Sequence, residues 1–351
     1  MNMNVLVTGG AGFIGSHTVV ELINSGYDVV IADNLCNSRE EVIDRIEKIT
    51  HIRPSFYKID LLDVPALETV FKENHIDAVI HFAGLKSGAE SIAEPGRYLN
   101  SNLMSTFNLL NMMEKYNVFK LVFSSFATVY GTPEVVPDYE TDMVGKVCSP
   151  YGFSKYLIEL LLNDFTRQRD NYHFVALRYF NPIGAHPSGI IGEDDGQSIP
   201  NNLVPYITKT LLGKFPYLRV YGNHYDTVDG TGLRDYIHVV DLAKGHIAAL
   251  EYLDKTAKKY DVFNLGTGKG TTVLQLVSAF EKVSQMTVPY KITEPRAGDV
   301  PLSFASVEKA NRILNWKAEY DYEDCARDSW NWQVKNPNGY SSGSDVSCSS
   351  K

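Results

Sequence analysis

The stretch TGGAGFIG, residues 8–15, follows directly on the short apolar run NVLVT and opens the amphipathic run FIGSHTVVELINSG. A glycine-rich turn in that position predicts one local geometry: a strand, a tight turn, then a helix N-terminus. Gly10, Gly12 and Gly15 satisfy the GxGxxG spacing, and Gly9 adds the longer GxxGxxG spacing. Glycine lets the backbone approach a pyrophosphate closely, and the free N–H groups of the helix start point at it. The next apolar run, DVVIAD, ends on Asp33. A carboxylate at that distance accepts hydrogen bonds from an adenosine ribose and repels a 2′-phosphate. The expected cofactor is therefore NAD rather than NADP.

The rest of the first half keeps the same rhythm. NVLVT (4–8), DVVIAD (28–33), DAVIHFAG (77–84), KLVFSS (120–125) and HFVALRYF (173–180) read as strands buried on both faces. The helical run between the first two stops at Gly26. Alternating strands and helices imply parallel pairing with right-handed crossovers, hence a doubly wound α/β sheet over residues 1–180. Beyond residue 180, NPIGAHPSGIIGEDDGQSIPNN is rich in Pro, Gly, Asn and Asp and reads as loops. Residues 181–340 are expected to form mainly a smaller α/β lobe that binds substrate, with the chain crossing back to the sheet once or twice. The serine-rich tail 341–351 is expected to be disordered.

Composition narrows the function. The net charge of −9 argues against a general nucleic-acid or anionic-membrane surface. No apolar run approaches the roughly 20 residues of a membrane span. MNMNVLVTGG lacks the charged start and apolar run of a signal peptide, so a cytoplasmic location is expected. The four cysteines are scattered and the histidines show no ligand spacing, so no metal is expected.

Two candidate groups stand one helical turn apart in SPYGFSK, residues 149–155: the Tyr151 phenol and the Lys155 amine. A phenol with a reference pKa of about 10 is a poor base at neutral pH unless a fixed cation stabilises its anion. Lys155 is placed to do that, with the positive nicotinamide of oxidised cofactor beside it. Asp60 closes the run FYKID, where two roles are open: bonding an adenine amino group or capping the next helix. FAGLK (82–86) falls at the carboxyl edge of the sheet, where open α/β sheets bind ligands. Lys86 there either reaches the cofactor or is a solvated loop lysine.

TGGAGFIG, FAGLK and YGFSK in this order resemble the extended short-chain dehydrogenase/reductase family. DNLCNS, RYFNPIGAHPSG, IPNNL, DGTGLRDYIHVVDLA and RAGDVP extend the likeness to the UDP-galactose 4-epimerases of that family, to about residue 335. The resemblance implies a Rossmann sheet, a homodimer and NAD-dependent epimerisation of a UDP-hexose. In that chemistry Tyr151 takes the proton of the sugar's 4-hydroxyl while a hydride passes from C4 to NAD⁺ and later returns to the other face. It also implies cofactor contacts from Gly9, Gly12, Phe13, Ile14, Gly15, Asp33, Asn34, Asn37, Ser38, Asp60, Leu61, Phe82, Ala83, Gly84, Lys86, Asn102, Tyr151, Lys155 and Tyr179. The UDP-sugar is expected to meet Lys86, Phe180, Asn181, Asn202, Leu203, Tyr221, Arg234, Tyr236, Arg296, Asp299 and Ser303. Arginines suit its diphosphate, whose oxygens accept forked donors.

Three departures qualify that expectation. The family's SSSATVYG is SSFATVYG here, so Phe126 stands where a serine bonds the reacting oxygen. Losing an oriented donor of this kind costs about 10²–10³ in rate. Ser125, Ser124 or Thr128 are the substitute donors, although strand alternation turns Ser125 away. Ser101 replaces a common Asn, leaving Asn102 for a similar role. Ser303 stands where epimerases restricted to glucose and galactose carry a bulky Tyr, which predicts acceptance of UDP-GlcNAc and UDP-GalNAc. The rival expectation is a catalytically impaired protein that binds NAD and a UDP-sugar. Dehydratases resembling this chain carry an Asp-Glu pair where it has Phe126 and Ala127, which disfavours elimination.

Overall fold

The structure is a computed structural model that describes residues 3–132, 135–167, 169–194, 200, 202–295 and 300–340. Arg296, Asp299 and the tail 341–351 lie outside the described residues. Six strands come first: β1 (Asn4–Thr8), β2 (Asp28–Asp33), β3 (Ser55–Lys58), β4 (Ala78–His81), β5 (Lys120–Phe126) and β6 (His173–Tyr179). Helices α1 (Phe13–Asn24), α2 (Glu41–Thr50), α3 (Val64–Glu73), α4 (Gly88–Ala93), α5 (Pro95–Lys115) and α6 (Pro150–Arg167) alternate with them. The chain then enters the lobe through β7 (Asn181–Ile183), α7 (Leu203–Leu211), β8 (Leu218–Tyr221), β9 (Leu233–Arg234) and β10 (Tyr236–His238).

It returns to the sheet with α8 (Val239–Leu253) and β11 (Tyr260–Leu265). It leaves again through β12 (Thr271–Thr272), α9 (Val273–Ser284), β13 (Tyr290–Thr293), β14 (Leu302–Ser303) and α10 (Tyr322–Lys335). The large sheet has the order β11-β6-β5-β4-β1-β2-β3 and every neighbouring pair is parallel. The doubly wound architecture is therefore present, with a seventh strand at β11.

Alternation along each strand explains why both faces are covered. Val5 and Val7 of β1 join Val19, Val20 and Leu22 of α1, Ile43 of α2 and Leu242 of α8. Leu6 points the other way, to Leu67 of α3, Leu109 and Met113 of α5 and Ile158 of α6. A third cluster holds the lobe together, with Ile207 of α7, Val220 of β8, Phe280 of α9 and Cys325 of α10. Strand order reverses between β1 and β4, which opens a crevice at their carboxyl ends.

Helix α6 starts only at Pro150, after a 3₁₀ turn at Ala127–Tyr130 and a long loop. A buried polar network fixes it nonetheless. Arg178 of β6 donates from Nε and Nη2 to the Glu159 carboxylate of α6 at 3.0 and 2.7 Å. Ser125 of β5 donates to Glu159 at 2.5 Å, and Arg178 Nη1 donates to Tyr130 at 2.9 Å. Tyr130 in turn donates to Asn264 of β11 at 2.7 Å.

Removing one member of a buried pair strands the other charge, at a cost of about 3–5 kcal/mol. Arg178→Met is expected to lose about that much stability in urea unfolding, whereas Arg178→Met with Glu159→Leu loses much less.

Candidate functional site

The crevice continues between sheet and lobe as a cavity of about 570 Å³, within the roughly 300–1,000 Å³ of small-molecule sites. At one end lies the glycine turn. Gly9 takes φ +71°, and a Cβ on Gly15 would stand 2.2 Å from Gly9 O, so only glycine closes this turn. The turn delivers Gly12, Phe13, Ile14 and Gly15 to the cavity wall.

Asp33, at the end of β2, accepts from Ala11 N at 3.0 Å, Leu35 N at 2.9 Å and Ser38 Oγ at 3.0 Å. Burial pushes its pKa up, while these bonds favour the ion. It lines the cavity with Asn34, Asn37, Asp60 and Leu61. Ser38 does not line the cavity and acts by holding Asp33. Asp60 accepts from Asn34 Nδ2 and Leu62 N at 2.9 Å each, and the cap of α3 is supplied by Asp63 instead. A turn that a Cβ would fill, beside an acid that disfavours a 2′-phosphate, fits NAD.

In the middle, Phe82, Ala83, Gly84 and Lys86 leave the end of β4 and line the wall. Asn102 does not line it. Its amide is saturated from behind: Oδ1 accepts from Leu85 N at 2.8 Å, and Nδ2 donates to Leu85 O at 3.1 Å and Ser154 Oγ at 3.0 Å. Asn102 thus shapes the loop, and its neighbour Ser101 reaches the cavity.

Tyr151 and Lys155 line the same wall from α6. Lys155 Nζ donates to Ser124 O at 2.7 Å and stands 5.9 Å from the Tyr151 ring centre. Burial pulls the Lys155 pKa down to about 8, opposed by the nearby Glu159 carboxylate. Burial pushes the Tyr151 phenol up from its ordinary value. The Phe126 ring lies 6.3 Å from the Tyr151 ring, tilted by 58°.

Ser124, Phe126 and Thr128 face the cavity, whereas Ser125 faces Glu159. The possible donor role for Ser125 is thereby corrected: alternation along β5 turns its hydroxyl into the network behind α6. Tyr179, opposite Phe126 in register, lines the cavity and pairs its hydroxyl with His246 Nε2.

The lobe contributes Asn181, Asn202, Leu203, Tyr221, Arg234 and Tyr236. Phe180 and Ser303 do not line the cavity. The Phe180 side chain is packed with Val129, Tyr130 and Ala305. Ser303 hydrogen-bonds the buried Asp138 carboxyl, whose pKa is pushed up to about 7 by burial and by Asp142. Among the lining residues not singled out from the sequence are Glu193 and Arg219. Glu193 accepts from Asn202 Nδ2 at 2.7 Å and stands 3.9 Å from Lys86 Nζ. It lies in a stretch with no periodicity, and no motif marks it. Among the described residues no helix is long and apolar enough to cross a membrane, and no cluster of His, Cys, Asp or Glu is fit to hold a metal ion.

A parallel sheet with a glycine turn at its switch point, and a Tyr–Lys pair in the same cavity, define a dinucleotide-binding protein of the short-chain dehydrogenase/reductase class. The family described as NAD dependent epimerase/dehydratase matches residues 5–266. UDP-glucose 4-epimerase of Bacillus subtilis is 53% identical over 341 residues, covering 97% of this chain and 99% of the relative. The Dictyostelium discoideum enzyme of the same name is 51% identical, over 96% of this chain and 97% of its own. The crystal structure of UDP-glucose 4-epimerase from Bifidobacterium longum with NAD⁺ and UDP superposes with a TM-score of 0.92 at 50% identity. That match covers 96% of this chain and 100% of the other. The chain belongs to the NAD-dependent epimerase/dehydratase family.

Gly15→Ala is expected to abolish NAD retention, because its Cβ collides with the Gly9 carbonyl. Absorbance of the nucleotide released on acid extraction of the purified variant checks this against the unaltered protein.

Proposed function

We propose that this chain is an NAD-dependent UDP-hexose 4-epimerase that interconverts UDP-glucose and UDP-galactose. Its main support is that Tyr151 and Lys155 share one cavity with the glycine turn and with Asn181, Asn202 and Arg234 of the lobe. Bound NAD⁺ would supply the redox chemistry, taking a hydride from C4 of the sugar and returning it to the opposite face of the ketone. The Tyr151 phenolate takes the 4-hydroxyl proton and gives it back after the sugar has turned. Because burial raises the phenol pKa, the fixed Lys155 ammonium must oppose it. Asp33 and the glycine turn hold the cofactor, while Arg234, Asn202 and Tyr221 hold the UDP-sugar, with Arg296 and Asp299 assigned to the same task by resemblance.

The reading extends to UDP-GlcNAc and UDP-GalNAc. Its support is the small Ser303 at the position where the resemblance puts a bulky tyrosine; the serine itself is turned to Asp138, outside the cavity lining. A second reading, an impaired protein that binds NAD and UDP-sugar, is favoured by the Phe126 ring standing beside Tyr151. A homodimer is proposed through α5 and α6. These adjacent helices leave Met104 and Phe107, one turn apart, and Phe153 and Leu160, two turns apart, exposed.

Purified protein incubated with UDP-glucose and no added cofactor is expected to form UDP-galactose by NMR, and to convert UDP-GlcNAc to UDP-GalNAc. Binding of UDP without any turnover would instead establish the impaired protein. Lys155→Met is expected to lower turnover about 10²-fold at neutral pH. Its rate–pH profile should also move to higher pH, since the phenol loses the cation that lowers its pKa. Phe107→Glu with Leu160→Glu is expected to yield a monomer by light scattering, where the unaltered chain is a dimer.

A further inference from the structure

Among the described residues, several buried side-chain polar atoms lack a hydrogen-bond partner, and only Thr128 Oγ1 belongs to a residue lining the cavity. Thr128 sits in the 3₁₀ turn Ala127–Tyr130 that follows β5. It rests against the first turn of α6: a Cβ built on Gly152 would lie 3.4 Å from Thr128 Cβ, Thr128 Oγ1 and Val147 Cβ. Gly152 is the neighbour of Tyr151. The hydroxyls of β5 itself are engaged, Ser124 with Tyr179 and Ser125, on the opposite face, with Glu159. Phe126 fills the strand end beside Tyr151. The turn after it is thus the part of the β5 wall that still carries an uncommitted hydroxyl.

We propose that Thr128 supplies the hydroxyl contact to the sugar's reacting oxygen that Phe126 cannot make, turning its side chain about χ1 when the sugar binds. This inference rests on the epimerase function proposed above. A buried hydroxyl without a partner is disfavoured, so the present rotamer is held weakly. A step to another staggered rotamer exchanges the hydroxyl for the methyl. The methyl then fills the slot beside Gly152 and Val147, and the hydroxyl gains an oxygen partner at the cavity wall. Thr128 undergoes no covalent change. It stabilises charge on the C4 oxygen while Tyr151 moves the proton.

The test measures kcat and KM for UDP-glucose on the protein with its bound NAD, and UDP affinity by calorimetry. The variants are Thr128→Val, Thr128→Ala, Thr128→Ser, Phe126→Ser, and Phe126→Ser combined with Thr128→Val. Thr128→Val and Thr128→Ala are expected to lower kcat about 10²-fold with KM and UDP affinity within about twofold. Thr128→Ser should stay within about threefold of the unaltered protein, and Thr128→Val should cost less than about threefold in the Phe126→Ser background.

A full kcat with Thr128→Val overturns the inference, as does an equal loss in both backgrounds, which marks a structural role. An inactive chain awakened by Phe126→Ser overturns it too, since Thr128 then provides no substitute. Absence of turnover in every variant, with UDP still bound, removes the epimerase function itself and the inference with it.

Discussion

The guanidinium of Arg178 and the carboxylate of Glu159 meet through two hydrogen bonds, at 3.0 and 2.7 Å, with both side chains almost wholly buried. Two charges removed from water are tolerated only when each satisfies the other and the remaining lone pairs find donors. Here Ser125 donates to the carboxylate and Tyr130 accepts from the guanidinium. The pair therefore joins β5, β6, β11, the 3₁₀ turn and α6 at one point. Every side chain proposed for the chemistry projects from one of those elements or lies against them. Glu159, Lys155 and Tyr151 fall on successive turns of α6, so fixing Glu159 also fixes the rotation of the helix about its axis.

Burial sets the charge states in front of that helix as firmly as the ion pair sets its position. The same exclusion of water raises the phenol pKa and lowers the amine pKa, opposing the ionised forms of both. It also strengthens each interaction once charge is present, because screening is weak there. Lys155 is anchored to the Ser124 carbonyl, while the Glu159 carboxylate that favours its charge is already paired with Arg178. A weakly neutralised cation near a phenol is the arrangement that lowers a pKa most per unit of charge.

Local motifs made the first half of the site legible. Gly9, Gly12, Gly15, Asp33, Tyr151 and Lys155 are each tied to a short segment whose backbone geometry follows from its own residues, and all line the cavity. What escaped depends on packing between distant segments. Asn102 and Ser101 differ by one position on α5, about 100° around a helix, and only the phase of the whole helix decides which one faces the ligand. Ser303 is turned to Asp138 by the pairing of β14 with β9, a contact that no local pattern encodes. Tyr260–Leu265, which no motif marks, pairs with β6 in the main sheet. Glu193 occupies an irregular loop and meets Lys86 and Asn202 only because the lobe folds back over the β4 edge.

The return of the chain at β11 governs how the lobe can move. The backbone passes between sheet and lobe after β6, again between β10 and α8, and again between β11 and β12. A body attached by a single linker swings freely, but one joined to the sheet by several passages of the chain does not. Such joints oppose a free swing of the lobe but not the turning of a small group inside the cavity. A ligand gripped at one end by such a lobe can turn its other end over without leaving.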